Sequence, residues 1–138
     1  MATSTPLASY ILVEGYPSVE DYNHLRTASG LTPKNVSQAS VALQGSWYGV
    51  YAAEEATPTK AVAMGRIIGD GGWYFLVADM ATLLEHQRKG LGGAILKKLF
   101  ARVKSQAAEG SGYRICRVGC RCPRAQALCE EWVQGHNA

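Results

Sequence analysis

The sequence predicts an α/β (α+β) domain. It is built on one mixed, mostly antiparallel central sheet with flanking helices, in the order β-α-α-β-β-β-α before an atypical C-terminal tail. Three observations carry that prediction. Residues 73 to 82 (WYFLVADMAT) are a short apolar, aromatic run leaving an Asp70-Gly71-Gly72 turn, as a buried strand does. Beyond them, Leu91, Ile95, Leu96, Leu99, Phe100 and Val103 recur at helical spacing, with Lys97, Lys98, Arg102 and Lys104 left for solvent. Two earlier apolar runs are linked to each other and to the central run by connections too short for a crossover, so these strands are antiparallel.

The elements follow in order. Ser9 to Glu14 (SYILVE) reads as a first strand, ended by Gly15 and Pro17. Ser18 is placed to cap a helix, with Asp21 three residues on in a variant of the capping box. Val19, Tyr22 and Leu25 mark one face of that short helix, which stops near Gly30. Asn35 or Ser37 starts a second helix, with Val36, Ala39 and Leu43 inward and Gly45 as its terminator. Trp47 to Ala53 and Lys60 to Ile68 are two more strands, separated by the polar loop Glu54 to Thr59. Gly69 to Gly72 is a hairpin connection into the central strand.

Between the central strand and the long helix runs a basic loop with glycines at 90, 92 and 93. Strand, glycine loop and helix together make a phosphate site. The first-turn N–H groups of a helix lack intrahelical partners, and the dipole there favours an anion. Glycine removes the Cβ atoms that would keep a diphosphate away from those groups. A P-loop needs Lys-Ser or Lys-Thr after its glycines, and a Rossmann fingerprint needs G-x-G-x-x-G directly after the strand. Neither is present here.

The spacing that is present, Gln87-x-x-Gly90-x-Gly92 after Asp79-Met80-Ala81-Thr82-Leu83-Leu84-Glu85-His86, resembles motif A of the GNAT superfamily of acyl-CoA N-acyltransferases, whose signature is Q/R-x-x-G-x-G/A. The segments SWYGVY (46 to 51) and AMGRIIGDGG (63 to 72) are similar to small-molecule acetyltransferases of that superfamily, and the resemblance runs from residue 8 to about residue 108. It implies a GNAT-like fold and acetyl-CoA as cosubstrate, with no metal and no other cofactor. It also implies that main-chain N–H groups of Ala81, Thr82 and Leu83 meet the thioester and pantetheine. The coenzyme pyrophosphate falls to the amides of Gln87, Arg88, Lys89, Gly90, Leu91, Gly92 and Gly93. Leu84 stands where many relatives have Pro.

Composition narrows the partners. The 138 residues, 47% hydrophobic and 18% charged, make one domain with room for a core. No apolar run approaches the about 20 residues of a membrane span, and the first ten residues lack the basic start of a secretory signal. The expectation is a cytoplasmic protein without a membrane partner. A net charge of +3 with no basic stripe interleaved with aromatics argues against nucleic acid. The charge does gather, through Arg88, Lys89, Lys97, Lys98, Arg102 and Lys104, around the glycine loop and its helix. A coenzyme with several phosphates gains from that field, although a solvated helix face accounts equally for Lys97 and Lys98.

The tail breaks this pattern. Residues 1 to 110 read as the acetyltransferase domain and 111 to 138 as an atypical Cys-rich segment holding all four cysteines, Cys116, Cys120, Cys122 and Cys129. The family continues after this helix with a strand, a Tyr-bearing helix and a last strand opening on N-G-F, and no such pattern is visible. Back-translating Val118 to Gln134 and reading one base further on permits the string LVADAPGRKLYAKNGF, which looks like that missing segment. The tail therefore reads as a shifted frame, testable on the nucleotide sequence. Two alternatives stay open. Zinc is one, with His136 as a further ligand, although C-x3-C-x-C-x6-C matches no standard spacing. The other is a local helix over Arg124 to Val133 that covers part of the sheet.

Acetyl transfer from a thioester to an amine requires a positioned thioester, stabilisation of the developing oxyanion, and an unprotonated amine. Asp79, on an apolar strand beside the loop, is the first choice as catalytic base, since burial raises a carboxyl pKa. The competing role is a hydrogen-bond or ionic partner that takes no proton. Glu85 and His86 act through water or are solvated, and Arg66 lies near the substrate or pairs with Asp70. By resemblance a Tyr in the penultimate helix reprotonates the thiolate, and no Tyr follows Tyr113. The reading is an N-acetyltransferase acting on a primary amine of a small molecule. Alternatives are a catalytically impaired coenzyme-binding or homodimerising protein, and a peptide or protein N-acetyltransferase.

Overall fold

The computed structural model describes residues 9–106 and 114–117. Strand β1 (Tyr10–Glu14) is followed by helices α1 (Val19–Ala28) and α2 (Val36–Gln44). Strands β2 (Tyr48–Glu54), β3 (Ala61–Gly69) and β4 (Tyr74–Thr82) come next, then a single helical turn at Leu84–His86, helix α3 (Leu91–Gln106) and strand β5 (Arg114–Arg117). The sheet order is β1-β2-β3-β4-β5, antiparallel as far as β4 and parallel between β4 and β5. The mixed, mostly antiparallel sheet and its element order are as the sequence predicts.

Local chemistry sets the element ends. Ser18 caps α1 by accepting the Asp21 N–H at 3.1 Å. Asn35, of the two candidates, caps α2 by accepting the Gln38 N–H at 2.8 Å. Ala39 and Leu43 are buried, but Val36 is 69% exposed instead of pointing inward. It is the first residue of α2, and helical side chains lean toward the N-terminus, so this one leans past the packed turn. In the β3–β4 connection Asp70 Oδ1 accepts from the N–H groups of Gly72, Trp73 and Tyr74. Those donors, Gly72 first, hold its carboxyl below the ordinary range. Asp70 is thus occupied in the turn, and Arg66 pairs elsewhere.

Strand alternation produces three layers. On β3, Gly65 faces α3: a Cβ there would lie 2.9 Å from Ile95 Cγ2 and 3.1 Å from Leu99 Cδ1, so only glycine lets helix and sheet approach this closely. Its neighbour Arg66 faces the opposite side, where its guanidinium reaches Ala42 O and Ser46 Oγ at the end of α2. Leu91, Ile95, Leu99 and Val103 of α3 are all at most 1% exposed. Burial of each such side chain contributes about 1.5–3 kcal/mol relative to leaving it in water.

Two features reach beyond the sequence reading. The sheet continues into β5, whose four residues pair with Tyr74 to Val77 and bury Ile115 to 3%. A run of four with one aliphatic residue is too short to show periodicity, and the open edge of β4 supplies its hydrogen bonds. The β3–β4 register also shifts between Met64 and Arg66, placing one extra residue on β4 at Asp79, whose φ is 55°. This is a β-bulge, and it re-aims the Asp79 side chain. The readings of residues 118 to 138, including Cys120, Cys122, Cys129, His136 and the shifted-frame string, lie outside the described residues, as does Tyr113. No helix among the described residues is long and apolar enough to cross a membrane.

Candidate functional site

The end of β4, the helical turn and the first turn of α3 enclose one side of a cleft of about 660 Å³, and the end of α1 reaches it from the other side. Of the residues expected to hold a coenzyme, Ala81, Thr82, Gln87, Arg88, Gly90, Leu91, Gly92 and Gly93 line it. Met80, Leu96, His86 and Ser29 complete the wall.

The loop is shorter than its glycines suggest. Helix α3 already begins at Leu91, so Gly92 and Gly93 belong to its first turn, and only Gly90 lies in the connection, with φ of +82°. Arg88 also has a positive φ, 62°, a conformation uncommon outside glycine. The first bond of the new helix runs from Ala94 N–H to Gly90 O at 3.0 Å. The six amides from Arg88 to Gly93 bond to no other described residue. Cβ atoms built on Gly90, Gly92 and Gly93 meet nothing within 4 Å, so the space beside these amides is open. An anion fits this cradle by hydrogen bonding and by the helix dipole together.

The end of β4 contributes less than expected. Leu83 is 7% exposed and its N–H is spent on Val62 O at 2.9 Å. Strand alternation turns the N–H and C=O of Thr82 to the opposite edge, where β5 does not extend because it pairs only as far as Val77. Gln87 Nε2 donates to Thr82 O at 3.2 Å, leaving the Thr82 N–H on the open edge. Lys89 also turns from the cleft, its Nζ donating to Tyr10 Oη at 3.2 Å.

Asp79 sits on the α1 and α2 side of the sheet. Its carboxylate pairs with Arg26 and, at 2.6 Å, with Arg66 Nε, and it accepts the Tyr22 hydroxyl at 2.6 Å. Its side chain is 9% exposed. Burial is the largest single influence and by itself raises the carboxyl pKa. The Tyr22 hydrogen bond, the Arg66 hydrogen bond and the charges of Arg66 and Arg26 together outweigh it, and hold the carboxyl below the ordinary aspartate range. Of the two roles read from sequence, the geometry favours the ionic partner over the proton acceptor. Arg26 carries this tie from α1 and also donates to Thr32 O at 2.7 Å. Sequence reasoning missed Arg26 and Tyr22 because the bulge that brings them to Asp79 leaves no periodic trace.

It missed Ser29 as well. The Ser29 hydroxyl is buried at the cleft wall with no hydrogen-bond partner among the described residues. An orphaned buried hydroxyl is costly unless a ligand or water satisfies it. No group of three His, Cys, Asp or Glu side chains able to hold a metal occurs among the described residues.

No protein-family model and no curated protein matches the sequence. Solved structures do match. A Staphylococcus aureus protein of unknown function, described as a probable acetyltransferase, superposes with a TM-score of 0.73 at 25% identity over 89% of this chain and 87% of that one. A GNAT family acetyltransferase from Streptococcus pneumoniae superposes at 0.66, with 21% identity over 88% and 84% of the two chains. The chain has the GNAT fold. A further GNAT structure, an Escherichia coli N-acetyltransferase in complex with CoA, aligns at 0.64 and 12% identity over 90% of this chain and 67% of that one. The motif A resemblance read from the sequence thus falls on the segment that joins β4 to α3 in a GNAT fold.

Proposed function

We propose that this protein is an acetyl-CoA-dependent N-acetyltransferase acting on a primary amine of a small molecule. The observation that carries the reading is the run of six unpaired amides, Arg88 to Gly93, opening onto a cleft that glycine keeps clear. That donor set suits a diphosphate linked to a longer arm. The arm then lies along the free edge of β4, where the Thr82 N–H is a donor, and past the buried Ser29 hydroxyl. Arg88 lies at the cleft and adds positive charge, which raises the local concentration of a multiply charged anion. Bound acetyl-CoA supplies the activated acetyl group. The chain binds and orients it, and the apolar walls Met80, Leu91 and Leu96 exclude water from its far end.

Asp79 takes the part of an anchor in this reading. Held ionised by two guanidinium groups, it ties α1 to the bulge of β4 and so sets the distance between Ser29 and the β4 edge. Isothermal titration of the full chain with coenzyme A, followed by turnover of acetyl-CoA against a panel of small amines, tests the proposal. Tight binding with turnover of a small amine supports it, and absence of coenzyme binding overturns it.

A second reading, coenzyme binding without turnover, is favoured by the absence of any tyrosine after Tyr113. Binding in the titration with no turnover on any acceptor selects it. Peptides belong in the panel because a GNAT-fold neighbour at TM-score 0.65 and 15% identity is the ribosomal-protein-S18-alanine N-acetyltransferase of Escherichia coli.

A further inference from the structure

The amide cradle presents a physical problem. Between Gln87 and Ala94 no main-chain N–H bonds to another described residue, and ahead of α3 the connection has one main-chain anchor among the described residues, the Gly90 carbonyl that accepts from Ala94. A row of donors serves an anion well only if it is already in place before the anion arrives. Side chains complete the hold: Gln87 ties the segment to Thr82 O, and two others converge on one atom. Tyr10 Oη, at the first residue of β1, is 2.7 Å from His86 Nδ1 and 3.2 Å from Lys89 Nζ. His86 ends the helical turn before the cradle, and Lys89 lies inside the connection. The rings of Tyr10 and His86 also meet edge to face, with centroids 5.6 Å apart at 87°, and Lys89 Nζ lies 5.8 Å from the Tyr10 ring centroid.

The donor inventory orders these contacts. An ammonium can only donate, so the phenol oxygen accepts from Lys89, and its own hydrogen is free to go to His86 Nδ1 in the tautomer that carries none there. In that tautomer the imidazole hydrogen sits on Nε2, which faces Glu54 Oε1 of β2 at 3.6 Å. In this way two strands remote from the cleft, β1 and β2, grip both ends of a four-residue segment.

We propose that the Tyr10 hydroxyl is the positioning residue of the phosphate-binding loop, clamping His86 and Lys89 so that the amides of residues 88 to 93 stay arrayed for a diphosphate. The proposal rests on the coenzyme reading of the cleft. It also explains why Lys89 is absent from the cleft wall: its charge is spent on the clamp.

The test uses the full chain and coenzyme A itself. Tyr10→Phe keeps the ring and its edge contact with His86 but removes both hydrogen bonds. Titration calorimetry is expected to show coenzyme A binding weakened about thirtyfold, the equivalent of the two lost bonds at a central value for each. In a His86→Leu background the same substitution should weaken binding by clearly less, because one of its partners is already gone. Nitrogen NMR of the His86 imidazole is expected to show hydrogen on Nε2 in the wild type and a shifted Nδ1 signal in Tyr10→Phe. Amide hydrogen exchange of the unliganded protein should quicken at His86 and Gln87, whose N–H groups are bonded in the turn, and not in α3 beyond Gly93. If the wild type binds coenzyme A and Tyr10→Phe binds it equally, or if the two substitutions are additive, the clamp is overturned while the coenzyme reading stands. If the wild type does not bind coenzyme A, the coenzyme reading itself falls. Should Tyr10→Phe fold poorly, the wild-type NMR signature decides: a His86 Nδ1 signal that shows no hydrogen bond overturns the proposal.

Discussion

Replacing Gly92 and Gly93 with alanine should move stability and coenzyme affinity in opposite directions. Both residues lie in the first turn of α3, and a Cβ on either meets nothing within 4 Å. The fold therefore has room for the methyl groups. Alanine in a helix is favoured over glycine by about 0.5–1 kcal/mol per position, so the double variant should melt a few degrees higher than the wild type. The cleft lacks that tolerance. Helical Cα–Cβ bonds tilt toward the N-terminus, which places the new methyl groups over the amides of the cradle. Losing one charge-assisted hydrogen bond to the diphosphate weakens binding by about 1.5–3 kcal/mol, or roughly tenfold to a hundredfold in Kd. Thermal melting without ligand and calorimetric titration with coenzyme A read the two effects separately. A double variant that is more stable and binds coenzyme A as well as the wild type would refute the assignment of this turn as the phosphate cradle.

Further outcomes follow from the same geometry. Asp79→Ala strands two guanidinium groups at the sheet face and should destabilise the chain by about 3–5 kcal/mol in urea titration, as breaking a buried ion pair does. Because the Asp79 carboxyl is depressed in the folded state, its contribution is complete above the unfolded aspartate pKa of about 3.9 and is lost as pH falls through the lower folded value. The stability gap between wild type and Asp79→Asn should accordingly narrow in acid, below about pH 4. A gap that is independent of pH would show that the charge is not what holds α1 to β4. Ser29→Ala removes a hydroxyl without a partner and should leave the melting temperature unchanged or higher, while coenzyme A binding weakens several-fold. Gly65→Ala forces a Cβ onto Met80, Ile95 and Leu99 and should destabilise the fold by about 1–3 kcal/mol through overpacking.

Sequence and tertiary structure divided the work along a clear physical line. Whatever is encoded in local periodicity and turn chemistry was legible in the chain itself. The apolar, aromatic run of Tyr74 to Thr82, the helical stripe from Leu91 to Val103, the Ser18 cap and the Asp70 turn each depend on neighbours within a few residues. The helix N-terminus with its unpaired amides was legible for the same reason, since the turn and its glycines are contiguous.

What the sequence left open depends on contacts far apart along the chain. Asp79 could be read as a base from its apolar strand, but the hydrogen bond from Tyr22, 57 residues away, with Arg66 and Arg26, holds it ionised. Leu83 could be read as a free donor until the β3 register assigned its N–H to Val62. The Tyr10 and His86 pair spans 76 residues, and Ser29 reaches the cleft only because α1 packs against β4. Hydrogen bonding and charge at a site are set by which partners folding delivers, and a bulge or register shift of one residue changes them without altering any periodicity.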